Sequence, residues 1–119
     1  MPTIAPFWPR MLWSAAVYNL VIGLAGLFVP GADTNARIVA LLVACFGLVY
    51  AMVARDPARL RQVLWAGVVG KLGVVALLGP EVLAGLAAPG TGWILLGDLV
   101  YTALFLMFLL IGADKLTAR

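Results

Sequence analysis

Residues 67–80 read GVVGKLGVVALLGP, an apolar run of glycine, valine, leucine and alanine that is interrupted by one lysine, Lys71. A helix that crosses a lipid bilayer needs about 20 mostly apolar residues, and no uncharged stretch of that length exists here. We nevertheless count the run as a membrane span, because no other segment can return the chain across the bilayer. This choice decides the fold, since it sets the number of spans at four.

The composition of the whole chain supports a membrane location. Of the 119 residues, 65% are hydrophobic and 11% are charged, whereas soluble domains carry roughly 25% charged residues. The mean hydropathy is +1.11, and the length suits one compact domain. We therefore predict an all-α polytopic membrane protein, a four-transmembrane-helix bundle that forms a single transmembrane domain over residues 1–119.

The cysteine and histidine counts exclude several classes of site. The chain has no histidine and one cysteine, Cys45. A disulfide framework within the chain is impossible, and so are zinc, haem and iron–sulfur sites that depend on histidine or on clustered cysteines. We predict no cofactor, no metal ligand and no catalytic residue.

The four predicted spans cover about residues 11–29, 36–54, 57–79 and 92–113. Asp56 suits the N-cap of the third helix and Pro57 its first position, and Gly79-Pro80 is expected to end it. The segment from about Pro80 to Ala88 is predicted either as a short interfacial helix or as a one-turn extension followed by a loop. The four tryptophans fall near span ends, as in an aromatic belt, at Trp8, Trp13, Trp65 and Trp93.

The distribution of lysine and arginine predicts the orientation. One side of the predicted fold carries Arg10, Arg55, Arg59, Arg61, Lys115 and Arg119. The other side carries Arg37 together with Asp33 and Glu81. By the positive-inside rule, we expect both termini and the loop between the second and third spans to be cytoplasmic. We expect the membrane to be a bacterial inner membrane.

Glycines recur every three residues within two of the spans. They are Gly23 and Gly26 in the first span and Gly67, Gly70 and Gly73 in the third. Small residues at this spacing let helix backbones approach closely in membranes, so we expect these glycines to be packing residues.

A lysine near the centre of a bilayer costs about 2.5–3.5 kcal/mol on insertion scales, which calls for a compensating partner. Asp98 is the one acidic residue inside a predicted span. At 1.5 Å per residue, Lys71 lies roughly 12 Å below Gly79 and Asp98 roughly 9 Å below Gly92. Because the third and fourth helices are antiparallel neighbours, both charges fall at similar depth and are predicted to pair.

Other polar residues are expected near the same level. Tyr101 and Thr102 share a helix face with Asp98. The candidate site is therefore a polar cluster formed by Asn19, Lys71, Asp98 and Tyr101, with Arg37 above it. Three interpretations stay open. The charged pair fixes helix packing, or it lines a site for a proton, an ion or a small polar ligand, or Lys71 extends to the membrane surface instead.

The layout resembles small bacterial four-helix membrane proteins of the DoxX-like families. The matching features are the four short spans, the arginine-containing turn ARDPARLRQ at residues 54–62 and the pattern GVVGKLG at residues 67–73. The resemblance implies an architecture and little about activity. Small multidrug exporters and fluoride channels have similar length. However, the first span lacks the acidic residue that the exporters use, and the loop charges argue against the dual insertion common in both.

Our leading hypothesis is a non-enzymatic integral membrane protein that acts through packing, as a homo-oligomer or as an accessory subunit of a larger membrane complex. The alternative is a small transporter or channel that uses Lys71 and Asp98 at its site. A membrane enzyme is disfavoured, because the spans offer one acidic side chain and no histidine for acid–base chemistry. The expected partners are the lipid bilayer and other membrane-embedded chains, and not nucleic acid.

Overall fold

A computed structural model describes residues 4–111 of the chain. Over these residues the fold is all-α, as the composition predicts. The elements are α1 (Phe7–Leu27), α2 (Thr34–Arg55), α3 (Pro57–Leu60), a 3-10 turn (Arg61–Val63), α4 (Leu64–Leu83) and α5 (Thr91–Leu110). Four helical segments of this described part are long and apolar enough to cross a membrane, namely α1, α2, the run Pro57–Leu83 and α5.

The chain divides into two compact units, with the boundary between Arg61 and Gln62. The first unit contains α1, α2 and α3, and its core is the contact between α1 and α2. The second contains α4 and α5, which pack on each other as a helical hairpin. The prediction of a single four-helix bundle concerns the assembly of these two units, and it stays a prediction.

The starts of α2 and α3 follow the local sequence. The Asp33 carboxylate accepts a hydrogen bond of 2.8 Å from the backbone N–H of Ala36 and caps α2, so Arg37 lies in the first turn as expected. Asp56 occupies the predicted N-cap position of α3, with Pro57 following, although its side chain makes no capping hydrogen bond. The predicted start at Asp56 and Pro57 is therefore confirmed.

Helix α1 begins earlier than predicted, at Phe7 instead of residue 11. Pro9 is compatible with this start, because the first N–H groups of a helix have no intrahelical partner and their loss costs little. Trp8 on this added turn is buried, and so is Leu12 on the next turn. Arg10, which was expected before the span, consequently lies inside α1.

Helix α4 continues through Pro80 to Leu83, and the predicted stop at Gly79-Pro80 is wrong. Gly85, two residues after Leu83, terminates the helix, and its φ of 75° is the left-handed conformation typical of a helix terminus. The N–H of Leu86 donates to the Glu81 carbonyl at 2.9 Å, and the N–H of Gly85 donates to that of Val82 at 3.1 Å. These two bonds form a Schellman motif.

No separate helix follows α4 in the described connection Ala84–Gly90. Of the two alternatives for this region, the structure therefore has the short extension and loop, and not an interfacial helix. The predicted end of the fourth span also shifts, because α5 ends at Leu110. The last two predicted residues, 112 and 113, lie outside the described residues.

Small residues bring α1 and α2 into close contact. A Cβ added at Gly23 would lie 2.4 Å from the backbone nitrogen of Ala44, and one added at Gly47 would lie 2.8 Å from the Leu20 Cγ. The packing prediction for Gly23 is thus confirmed. At Gly70 and Gly73 in α4, an added Cβ would meet nothing within 4 Å in the described structure, so these two glycines pack on no other described part of the chain.

Most of each spanning helix faces outward from its unit. Between 22% and 33% of the residues in the apolar window of each span are buried. The remaining faces expose large apolar side chains such as Val21, Leu42, Val69 and Leu96. Such surface is costly in water and suits contact with lipid, so the protein is an integral membrane protein by the length, composition and exposure of its helices.

Candidate functional site

The two intramembrane charges lie on the buried faces of their helices. On α4 the buried residues recur at helical spacing and end in the lysine, in the order Leu64, Gly67, Val68 and Lys71. On α5 a similar set contains the aspartate, in the order Leu95, Asp98, Thr102, Phe105, Phe108 and Leu109. Because residues three or four apart share a helix face, folding the hairpin turns both charges toward the opposite helix.

Lys71 and Asp98 are in direct contact. The Lys71 Nζ donates a hydrogen bond of 2.8 Å to the Asp98 Oδ1, and the two side chains are 6% and 10% exposed. A charge-assisted bond of this length is among the stronger hydrogen bonds in proteins. The predicted pairing is therefore confirmed, and the interpretation in which Lys71 extends alone to the membrane surface is not what the structure has.

Two neighbours on α5 complete the surroundings of the pair. The Lys71 Nζ lies 5.7 Å from the centroid of the Tyr101 ring, within the range of a cation–π contact. The Thr102 hydroxyl donates to the Asp98 backbone carbonyl at 2.7 Å, which satisfies its polar group within its own helix. Lys71 thus contacts both a carboxylate and an aromatic face.

Asn19 makes a hydrogen bond between the two long helices of the first unit. It is buried in the first unit, where its Nδ2 donates to the backbone carbonyl of Val43 at 3.2 Å. This bond crosses from α1 to α2 beside the glycine contacts. The interhelical partner is a main-chain carbonyl, and nothing in the residue types around Val43 signals it.

Of the five residues of the predicted polar cluster, the structure brings Lys71, Asp98 and Tyr101 together in the second unit. Asn19 and Arg37 belong to the first unit, and Arg37 is exposed in the first turn of α2. Their participation in the cluster stays a prediction. Gly47 is a packing residue that the sequence reasoning missed, although its spacing from Ala40 and Ala44 places all three on one helix face.

Lys71 and Asp98 neutralise each other's charge, and this limits the reactions that the pair could support. An ammonium and a carboxylate in contact leave no net charge at the site, and removing one of them would leave the other unpaired in a poorly solvated position. Among residues 4–111, no group of three or more histidine, cysteine, aspartate and glutamate side chains is placed to hold a metal ion. The pair can hold α4 against α5, or it can serve as a charged group on a path along which a proton or an ion crosses the membrane.

Comparisons of the chain with protein-family models, with curated proteins and with solved structures give no match in any of the three.

Proposed function

We propose that the protein is a non-enzymatic integral membrane protein that acts through helix packing, as a homo-oligomer or as an accessory subunit of a larger membrane complex. In this proposal the Lys71–Asp98 pair locks α4 against α5. The observation that supports it is the 2.8 Å contact between two buried side chains of opposite charge. Each charge is used to compensate the other, which is what a packing lock requires.

The surroundings of the pair favour the same role. Thr102 is bonded to its own helix, and the pair is followed along α5 by the buried apolar residues Phe105, Phe108 and Leu109. Intramembrane ionisable groups usually face a protein interior and pair there. A hairpin fixed in this way presents rigid apolar faces to lipid or to neighbouring chains.

The second candidate is a small transporter or channel for a proton, an ion or a small polar solute. The observation in its favour is that Tyr101 stands beside the pair, so that three ionisable side chains meet inside one spanning hairpin. Buried ionisable groups at membrane depth commonly mark such pathways. Two hairpins enclose little volume, and a pathway would therefore require several subunits.

The finer assignments belong to the same proposal. They are the DoxX-like architecture, the bacterial inner membrane and the cytoplasmic location of both termini. The first rests on the turn at residues 54–62 and the pattern at residues 67–73. The bacterial inner membrane rests on the same resemblance, and the cytoplasmic location of both termini rests on the predicted excess of arginine and lysine on one side of the membrane.

One double variant separates the two candidate functions. Lys71→Met/Asp98→Leu replaces the pair by apolar side chains of similar size, an exchange that buried ion pairs often tolerate. If the pair is a packing lock, the variant should assemble like the wild type in native-like membranes, and neither protein should conduct protons or ions in proteoliposomes. The matched control is Glu81→Gln, which removes an exposed acid near the end of α4.

The opposite outcome is equally specific. A proton or ion flux through the wild type that the Glu81→Gln protein retains and the double variant loses, with assembly intact, would replace the packing proposal by transport. The oligomeric mass of all three proteins in detergent provides the assembly readout. Co-purification from native membranes then distinguishes a homo-oligomer from an accessory subunit.

A further inference from the structure

The end of the α4–α5 hairpin exposes three large apolar side chains, one in the connection and two in the adjoining helical turns. Leu83, at the end of α4, is 91% exposed, Leu86 in the connection is 79% exposed, and Trp93 in the first turn of α5 is 79% exposed. Surface of this kind is unfavourable in water. Something apolar must therefore cover these three side chains in the working protein.

The sequence of the connection contains no group that favours water strongly. Residues 82–97 read VLAGLAAPGTGWILLG and include no ionisable side chain. The junction between α2 and α4 is the reverse case, because its short segment carries Arg55, Asp56, Arg59 and Arg61. The α4–α5 connection and the α2–α4 junction, at opposite ends of α4, therefore suit different surroundings.

The first half of the α4–α5 connection satisfies its backbone donors from within. The N–H groups of Ala84, Gly85 and Leu86 donate to carbonyls of the last turn of α4 at 2.9–3.1 Å. The Thr91 N–H and hydroxyl both donate to the Ala88 carbonyl, at 3.2 and 2.8 Å, and Pro89 has no N–H to satisfy. Internal satisfaction of backbone donors is what a non-aqueous environment demands.

A shallow cleft lies at the same end of the hairpin. Its volume is about 440 Å³, and it is lined by Val82, Ala87, Ala88, Gly90, Gly92 and Trp93. None of these side chains is ionisable. The cleft continues the apolar faces of α4 and α5, which are themselves long and apolar enough to span a membrane, so the same lipid that surrounds the helices reaches it.

From these observations we propose that the α4–α5 connection is an interfacial membrane anchor. Leu83 and Leu86 insert into the acyl-chain boundary, and the Trp93 indole lies at the level of the lipid headgroups, where its apolar ring and its N–H are both accommodated. The partner of this surface is the lipid bilayer. The anchor fixes the depth of the α4–α5 hairpin, whatever the function of the charged pair inside it.

Spin labels at three positions test the anchor in full-length protein reconstituted into liposomes. The exposed Cys45 is first replaced by alanine. Leu86→Cys then reports on the connection, Leu77→Cys on the exposed face of α4 within the span, and Ala58→Cys on the charged junction at α3. The measurement is the ratio of accessibility to molecular oxygen, which concentrates in the bilayer, over accessibility to a water-soluble nickel chelate.

The expected ratio at Leu86 lies between those of the two controls and severalfold above that at Ala58. A ratio at Leu86 equal to that at Ala58 would overturn the anchor, because the loop would then project into water. Low accessibility to both reagents, together with dipolar broadening between labels, would overturn it in favour of a second copy as the covering partner.

Leu83→Cys provides a second reporter on the same surface and should repeat the result at Leu86. Both side chains are exposed, so neither substitution removes a buried contact. Circular dichroism of each labelled protein confirms that the helix content of the wild type is retained.

Discussion

At the scale of single residues, the Lys71–Asp98 pair is the feature with the largest energetic consequence. Each partner alone would be a poorly hydrated charge in an apolar hairpin, and each makes the burial of the other tolerable. Asn19 provides a weaker link of the same kind in the first unit, through the Val43 carbonyl. Interhelical hydrogen bonds of that type in membranes are worth about 0.6 kcal/mol on average, so the charged pair dominates.

We predict that the two charges are strongly coupled in their contribution to stability. Lys71→Met and Asp98→Leu should each destabilise the protein by about 3–5 kcal/mol, since each leaves an unpaired buried charge, and the double variant should lose much less than the sum. Thermal unfolding in detergent of wild type, both single variants and the double variant completes the cycle. Strict additivity would contradict a direct pair, and Glu81→Gln should leave the midpoint unchanged.

At the scale of the helices, a glycine contributes to helix packing when a neighbouring helix lies close to it. The spacing of the glycines along the chain matters less. Gly23 faces the backbone of α2 at Ala40 and Ala44, whereas Gly73 on α4 has open space where a Cβ would stand. Both lie inside spanning helices. They are therefore a matched pair in which the local secondary structure is the same and the tertiary contact differs.

We predict opposite responses to the same substitution at these two glycines. Gly23→Ala should destabilise the α1–α2 contact by about 1–3 kcal/mol, because the new methyl group would overlap the backbone of α2 and force the helices apart. Gly73→Ala should be neutral or stabilising by up to about 1 kcal/mol, because alanine is the better helix former. Thermal unfolding in detergent measures both, and equal losses at the two sites would show that Gly73 is packed against another element or another chain.

At the scale of the whole molecule, the number of membrane crossings depends on the segment that contains Lys71. The run Pro57–Leu83 forms a helical segment of spanning length with a 3-10 turn near its start, and pairing with Asp98 compensates the charge in its interior. If this segment crosses, the two ends of α2 and the two ends of α4 must alternate between the two sides of the membrane.

We predict that single cysteines in a Cys45→Ala background label in this alternating order. Asn35→Cys, at the start of α2, and Glu81→Cys, in the last turn of α4, should react with an impermeant thiol reagent from outside the cell. Ala58→Cys should react only from the cytoplasmic side, as the arginines around it require. Labelling of Ala58 and Glu81 from the same side would show that the segment does not cross, and a reversed order would contradict the orientation alone.

The amino-acid sequence by itself determined the class of the protein and the identity of its buried ion pair. Composition and span length are sums over many residues, so the predicted class stays correct even when the predicted helix ends are wrong by a few residues. The pairing of Lys71 with Asp98 followed from one constraint. A lysine inside the membrane needs an acidic partner at the same depth, and Asp98 was the one acidic residue inside a predicted span.

Only the tertiary structure decided which small residues form contacts. Gly23, Gly70 and Gly73 look alike in sequence, and only the approach of α2 makes the first a packing residue. Contacts of this kind depend on the distance between segments remote in the chain, and local sequence patterns do not contain that distance.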